Sequence, residues 1–109
     1  MTNVDPIAAL ADASRKKIFE LLKGGPMHVG RIAEQLPISR PAVSQHLKLL
    51  KEAGLVQEAR EGNRHAYSID PDGLVKMQRW LDQFWGDALS AFKVEAERPA
   101  ASKKRSKRR

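Results

Sequence analysis

The chain contains no cysteine, which removes disulfides, thiolate metal sites and cysteine nucleophiles together. No apolar run approaches the ~18 residues needed to cross a bilayer. The N-terminus lacks a basic segment followed by an apolar core, so no signal peptide is expected and the cytoplasm is the default address. A glycine-rich phosphate loop is missing, and no serine sits beside a plausible base. Ser44 and His46 are close in sequence, but at that spacing on one helix their side chains do not face each other. These absences argue against an enzyme. Acid is missing from one end of the chain: residues 98–109 hold Arg98, Lys103, Lys104, Arg105, Lys107, Arg108 and Arg109, and no Asp or Glu.

That last absence decides what the net charge of +7 means. With those seven cations set aside from the 20 Lys and Arg, residues 1–97 keep 13 against 13 Asp and Glu and are neutral. The high pI belongs to the end of the chain and says nothing of a basic surface on the folded part. A length of 109 residues suits one domain with a modest core. The expected organisation is a domain over 1–97 and a disordered basic tail over 98–109, where small residues alternate with Lys and Arg.

What is present is organised around Leu36 to Gly54. Ser39 is a helix N-cap whose hydroxyl can accept from a free N–H of the first turn, and Pro41 sits near the helix start, where a missing N–H costs little. Val43, Leu47 and Leu50 follow i, i+4, i+7 spacing and form a buried stripe. Gly54 supplies the left-handed stop. Upstream, Ile32, Ala33 and Leu36 point inward from a shorter helix that begins at Val29 or Gly30 and ends at Pro37. Two short helices across a tight turn form a helix-turn-helix. Arg40, Ser44, Gln45 and Lys48 lie off the apolar stripe with nothing in the domain to bind. Such a motif reads the DNA major groove with the N-terminal residues of its second helix. Arg can take guanine O6 and N7, and Gln can take adenine N6 and N7. An ordinary amphipathic surface helix would carry the same residue types.

The surrounding elements follow from local signals. Asp5 caps a short first helix through Ile7, Ala8, Leu10 and Ala11 with Pro6 first. Asp12 or Ser14 starts the second, which buries Ile18, Leu21 and Leu22, leaves Arg15, Lys16 and Lys17 largely wet, and ends at Gly24-Gly25-Pro26. Met27 and Val29 bracket a short extended piece. After Gly54 the apolar period changes to two, and Gly62-Asn63 is a two-residue hairpin turn with Gly first. The turn sets a register in which Val56 faces Ile69, Glu58 faces Tyr67, Arg60 faces His65 and Glu61 faces Arg64. Arg60, Asn63, Arg64 and His65 gather at the tip. A hairpin behind a recognition helix is a wing, and a basic tip can reach phosphate or the minor groove.

Asp70-Pro71 starts a long last helix running to Glu97. Leu74, Met77, Leu81, Phe84, Ala88 and Phe92 form its stripe, flanked by Trp80 and Trp85. Part of this face covers the core and the rest suits a partner helix, most economically the same helix of a second subunit. Ile7 and Leu10 of the first helix join that expected interface. Gly86 costs ~1 kcal/mol relative to Ala in a helix and marks a close helix crossing or a bend. The fold class expected is mainly α with a small β-hairpin: a winged helix-turn-helix of about five helices and a two-stranded wing, dimeric through the terminal helices.

As a set, Ala9-Leu10-Ala11-Asp12-Ala13-Ser14-Arg15-Lys16-Lys17-Ile18, Ile32-Ala33-Glu34-Gln35-Leu36, Ser39 through Leu50, Glu52-Ala53-Gly54-Leu55-Val56 and the Gly62-Asn63-Arg64 wing resemble the ArsR family of winged helix-turn-helix repressors over about residues 5–97. The resemblance implies a prokaryotic homodimer on a palindromic operator, released by a signal. It puts Arg40, Pro41, Ser44 and Gln45 at the groove, and Ser39, Lys48 and the wing residues Arg60, Asn63 and Arg64 complete the expected DNA-binding set. It puts Ile7, Leu10, Met77, Trp80, Leu81, Phe84, Trp85 and Phe92 at the dimer interface.

Metal sensing is the family's best-known activity, and here the chain departs from it. The positions of the arsenic- and cadmium-type thiolate pair carry His28 and Gly30. Zinc-type sensors use His and carboxylates of the last helix, but Pro71 to Glu97 has no His. Asp72, Asp82, Asp87, Glu95 and Glu97 are too scattered for a site. No metal site and no cofactor are therefore expected. His46 packs or meets phosphate, His65 is solvated or near phosphate, and His28 stands alone. The leading expectation is a metal-independent dimeric repressor on double-stranded DNA, its inducer and operator unspecified. The alternatives are a metal-responsive repressor with a site at the dimer interface, a winged-helix protein-interaction module, and an architectural binder driven by the tail.

Overall fold

In a computed structural model, the structure describes residues 4–97; the expected basic tail lies outside them. The elements run α1 (Pro6–Ala9), α2 (Ala13–Leu21) with a 3-10 turn at Leu22–Gly24, β1 (Met27–His28), α3 (Val29–Glu34), α4 (Arg40–Glu52), β2 (Val56–Glu61), β3 (Arg64–Ile69) and α5 (Pro71–Glu97). This is the winged helix-turn-helix expected from the sequence. The chain divides after Met77 into two compact units.

The first unit is built on caps and turns that the residues dictate. Asp5 accepts from the Ile7 N–H and opens α1, and Asp12 accepts from the Arg15 N–H and opens α2. The bond from the Arg15 N–H holds the Asp12 carboxyl below the usual carboxylate range, and the Arg15 guanidinium adds to it. Arg15 is not on the wet side as its spacing suggests. Its Nε donates to the Ala9 carbonyl at 2.8 Å, and its Nη1 lies 3.5 Å from His46 Nδ1. The side chain therefore ties the end of α1 to α4, and His46 is a packing residue beside it.

Ile18, Leu22, Ile32, Val43, Leu47, Leu50, Leu55 and Val56 form the apolar core. The last helical turn of α4 closes through Gly54 at φ 80°, with Gly54 N–H on Lys51 O and Leu55 N–H on Leu50 O, both at 3.0 Å. These are the paired bonds of a Schellman stop, which only a left-handed residue completes without strain. Asp70 links this stop to α5. Its N–H donates to Leu55 O at 2.9 Å, and its carboxylate accepts from the Asp72 N–H at 3.0 Å.

The hairpin has the register expected from its turn: Val56 pairs with Ile69, Glu58 with Tyr67, Arg60 with His65 and Glu61 with Arg64. Gly62 takes φ 65° and Asn63 does not take a positive φ, the arrangement of a type II′ turn. One correction concerns the two-stranded wing. β1 adds a third strand antiparallel to β3, Met27 opposite Tyr67 and His28 opposite Ala66, in the order β1-β3-β2. The strand covers an edge of β3 that would otherwise carry unpaired backbone groups, and Met27 packs against the core.

From Gln78 the second unit is the remainder of α5. Trp80, Leu81, Phe84, Trp85, Leu89 and Phe92 are all exposed, Phe92 to 72%. Trp80 and Phe84, one turn apart, stack with centroids at 5.4 Å and planes 12° apart. Leu89 belongs to this apolar surface although it falls outside the stripe of Leu74, Met77, Leu81, Phe84, Ala88 and Phe92. Gly86 has open space around it: a methyl group there would meet nothing within 4 Å. Among the described residues no helix is long and apolar enough to cross a membrane.

Candidate nucleic-acid interface

Ser39 ends the turn after α3 in an extended conformation, and its Oγ accepts from the Ala42 N–H at 3.2 Å. That cap fixes where α4 begins. Pro41 follows within the first turn, where no intrahelical bond is lost. Val43, Leu47 and Leu50 are each fully buried, and this anchors the helix by one face. Ser39, Arg40, Pro41, Ser44, Gln45 and Lys48 are all exposed, as are Arg60, Asn63 and Arg64 on the hairpin.

The structure brings some of these together and leaves others apart. An open groove of about 770 Å³ lies between α3, the start of α4 and the wing, and Arg40, Ser44, Asn63 and Arg64 line it. Pro41, Gln45, Lys48 and Arg60 are exposed outside that lining. His65, expected at the wing tip, also lines the groove, as do Arg31 and Glu34 of α3 and Glu58 and Tyr67 of the hairpin, which sequence reasoning did not single out as a site. For Arg31 a signal existed. With Ile32 and Ala33 inward, Arg31 must point outward from the first helix of the motif, the one that crosses the DNA backbone.

Glu58 holds the hairpin to α4. Its Oε1 accepts from Lys51 Nζ at 3.0 Å, and its Oε2 meets His65 Nδ1. The hydrogen bond to His65, followed by that to Lys51, holds the Glu58 carboxyl below the usual carboxylate range. Burial pushes the Tyr67 hydroxyl up, and the neighbouring Glu58 charge adds to it. A lowered carboxyl stabilises the fold above its unfolded value, and that stabilisation disappears as pH falls through the folded value. Glu58→Gln should therefore cost about 1 kcal/mol at neutral pH. In thermal melts, the gap between wild type and variant should be present above the ordinary carboxylate value of 4.5 and close below it. A gap that persists unchanged in acid would show that the carboxylate charge plays no part.

The residues present do not suit the family's thiolate metal site. Gly30 offers no ligand. His28 Nε2 is buried without a hydrogen-bond partner, and Glu61 Oε1 is its charged neighbour at 3.6 Å, just beyond hydrogen-bond range. Among the described residues no group of three or more His, Asp or Glu could hold a metal ion.

A two-helix motif with a buried second-helix face, an exposed polar face and a hairpin set against it defines a winged helix-turn-helix DNA-binding protein. Residues 12–58 match the family described as bacterial regulatory protein, arsR family. The chain is 51% identical over 84 residues to the HTH-type transcriptional regulator Rv2034 of Mycobacterium tuberculosis, covering 77% of this chain and 78% of that protein. It is 40% identical over 84 residues to the transcriptional repressor SdpR of Bacillus subtilis, covering 77% of this chain and 91% of that one. The solution structure of a homodimeric winged helix-turn-helix DNA-binding domain from Mycobacterium bovis, a possible ArsR-family transcriptional regulator, matches with a TM-score of 0.61 and 33% identity over 75% of each chain. The chain belongs to the ArsR family and is a DNA-binding transcriptional regulator.

Proposed function

We propose that the protein is a homodimeric, metal-independent repressor that acts in the cytoplasm on a palindromic operator. The observation that carries the DNA reading is α4 itself. Val43, Leu47 and Leu50 commit one face to the core, while Ser44, Gln45 and Lys48 stand exposed on the other. The proposed DNA face comprises Ser39, Arg40, Pro41, Ser44, Gln45 and Lys48 with Arg60, Asn63 and Arg64 of the wing. Ser44 and Gln45 are its candidates for base contacts. The homodimeric relative from Mycobacterium bovis and the exposed aromatic surface of α5 support a dimer through Trp80, Leu81, Phe84, Trp85 and Phe92, joined by Ile7 of α1. Leu10 and Met77 are half-buried against their own core, so each offers only part of its surface. Metal independence is supported by Gly30 and His28 at the thiolate positions. Residues 98–109 would add salt-sensitive affinity without sequence preference.

The test is selection of duplexes from a random pool, with and without zinc, nickel, cadmium and chelator. A palindromic consensus insensitive to metal is expected. Gln45→Ala should cost ~1–3 kcal/mol on that consensus and relax preference at one position of each half-site. Unchanged preference in this variant would remove Gln45 from the reading face, and release of DNA by a metal would favour the metal-responsive alternative.

A further inference from the structure

The geometry points to Arg40 as a clamp on DNA phosphate, grouped with Arg31 and Arg64, and not as a reader of bases. The inference rests on the DNA face proposed above and divides its labour. Arg40 is the first residue of α4, a position from which side chains in this motif can reach base edges. Its guanidinium goes elsewhere. A methyl group placed on Gly30 would lie 3.3 Å from Arg40 Nη2 and 3.4 Å from Cζ. The charged group therefore rests over the first turn of α3, in the space that the missing side chain of Gly30 leaves.

Arg31 from α3 and Arg64 from the wing line the same groove. Among the described residues none of the three arginines is in an ion pair. Two carboxylates also line the groove. Glu58 is held by Lys51 and His65, which leaves Glu34 as the opposing charge. Three arginines from three elements thus line one open groove, in a region of the chain that is neutral as a whole between residues 1 and 97. Guanidinium matches the geometry of phosphate oxygens and holds them bidentately. The first helix of a helix-turn-helix crosses the DNA backbone, so an arginine laid along that helix meets phosphate. Ser44 and Gln45, a turn further along α4, keep the base contacts.

Wild type, Arg40→Ala, Arg40→Lys and Gln45→Ala are titrated by fluorescence anisotropy, each at several salt concentrations. The probes are a duplex selected by the wild-type protein from a random pool and a scrambled duplex of the same composition. Arg40→Ala should weaken both duplexes alike, keeping their affinity ratio within about twofold of wild type, and should lower the salt slope by about one. Arg40→Lys should keep the ratio and most of the slope, because lysine retains the charge. It also preserves the test should Arg40→Ala fold poorly. A ratio that collapses in either Arg40 variant, or a salt slope that does not move in Arg40→Ala, overturns the inference. Equal binding of both duplexes by wild type would sink the sequence-reading proposal instead, and the slope on the scrambled duplex would still decide the role of Arg40.

Discussion

Phe84→Asp should convert the protein to a monomer in sedimentation velocity, with helix content by circular dichroism unchanged. Phe84 is 52% exposed and stacks on Trp80, with Leu81, Trp85 and Leu89 exposed on the same helix. Burying one such side chain contributes ~1.5–3 kcal/mol. A two-fold interface applies any substitution twice, so loss of that burial alone removes roughly 3–6 kcal/mol, or two to four orders of magnitude in the association constant. Two carboxylates brought into the same apolar contact add desolvation cost. Because a palindrome is read by two recognition helices held at a fixed spacing, the monomer should also lose operator affinity while keeping weak half-site binding. A variant that stays dimeric and helical would place the interface elsewhere.

The contrast between that face and the proposed DNA face shows what a sequence can reveal. The recognition helix was legible because its signals are local. Ser39 caps, Val43, Leu47 and Leu50 repeat at helical spacing, and Gly54 stops. The hairpin was legible because a two-residue turn at Gly62-Asn63 leaves only one register for the strands beside it. Interactions between distant segments were not. A short extended piece at Met27 was legible, but its pairing was not: two residues are too few to set a register, and the strand forms because β3 offers an edge. Arg15 has the spacing of a solvated residue, and only the fold brings the Ala9 carbonyl and His46 to it. The groove is the largest such gap. Gly30, Arg31, Arg40 and Arg64 belong to three elements, and no periodicity along the chain indicates that they converge. On α5 the pattern correctly marked an apolar face, but spacing does not say how much of it the chain covers by itself. Met77 packs against the core whereas Leu74, Trp80 and Phe92 remain exposed.

Gly73 carries the second large effect, and nothing in its sequence neighbourhood announces it. It lies in the first turn of α5 and is buried. A methyl group built there would sit 1.8 Å from the Gly54 carbonyl oxygen, 2.8 Å from its carbon and 3.3 Å from Leu55 Cα. These are backbone atoms, so no side-chain rotation relieves the clash. Gly54 cannot yield easily, because its left-handed conformation completes the stop of α4. The start of α5 cannot yield easily either, because Asp70 N–H is bonded to Leu55 O. Overpacking a core typically costs 1–3 kcal/mol, occasionally more, and contact with a fixed backbone belongs at the upper end, about 3 kcal/mol or above. Against a typical domain stability of ~5–15 kcal/mol, Gly73→Ala should lower the midpoint of thermal unfolding by roughly 10 °C or more. Gly86→Ala, in the same helix but with nothing within 4 Å of the added methyl, should be stabilising by up to ~1 kcal/mol in the isolated chain. Equal effects of the two substitutions would show that the approach of α5 to Gly54 is not a packing constraint.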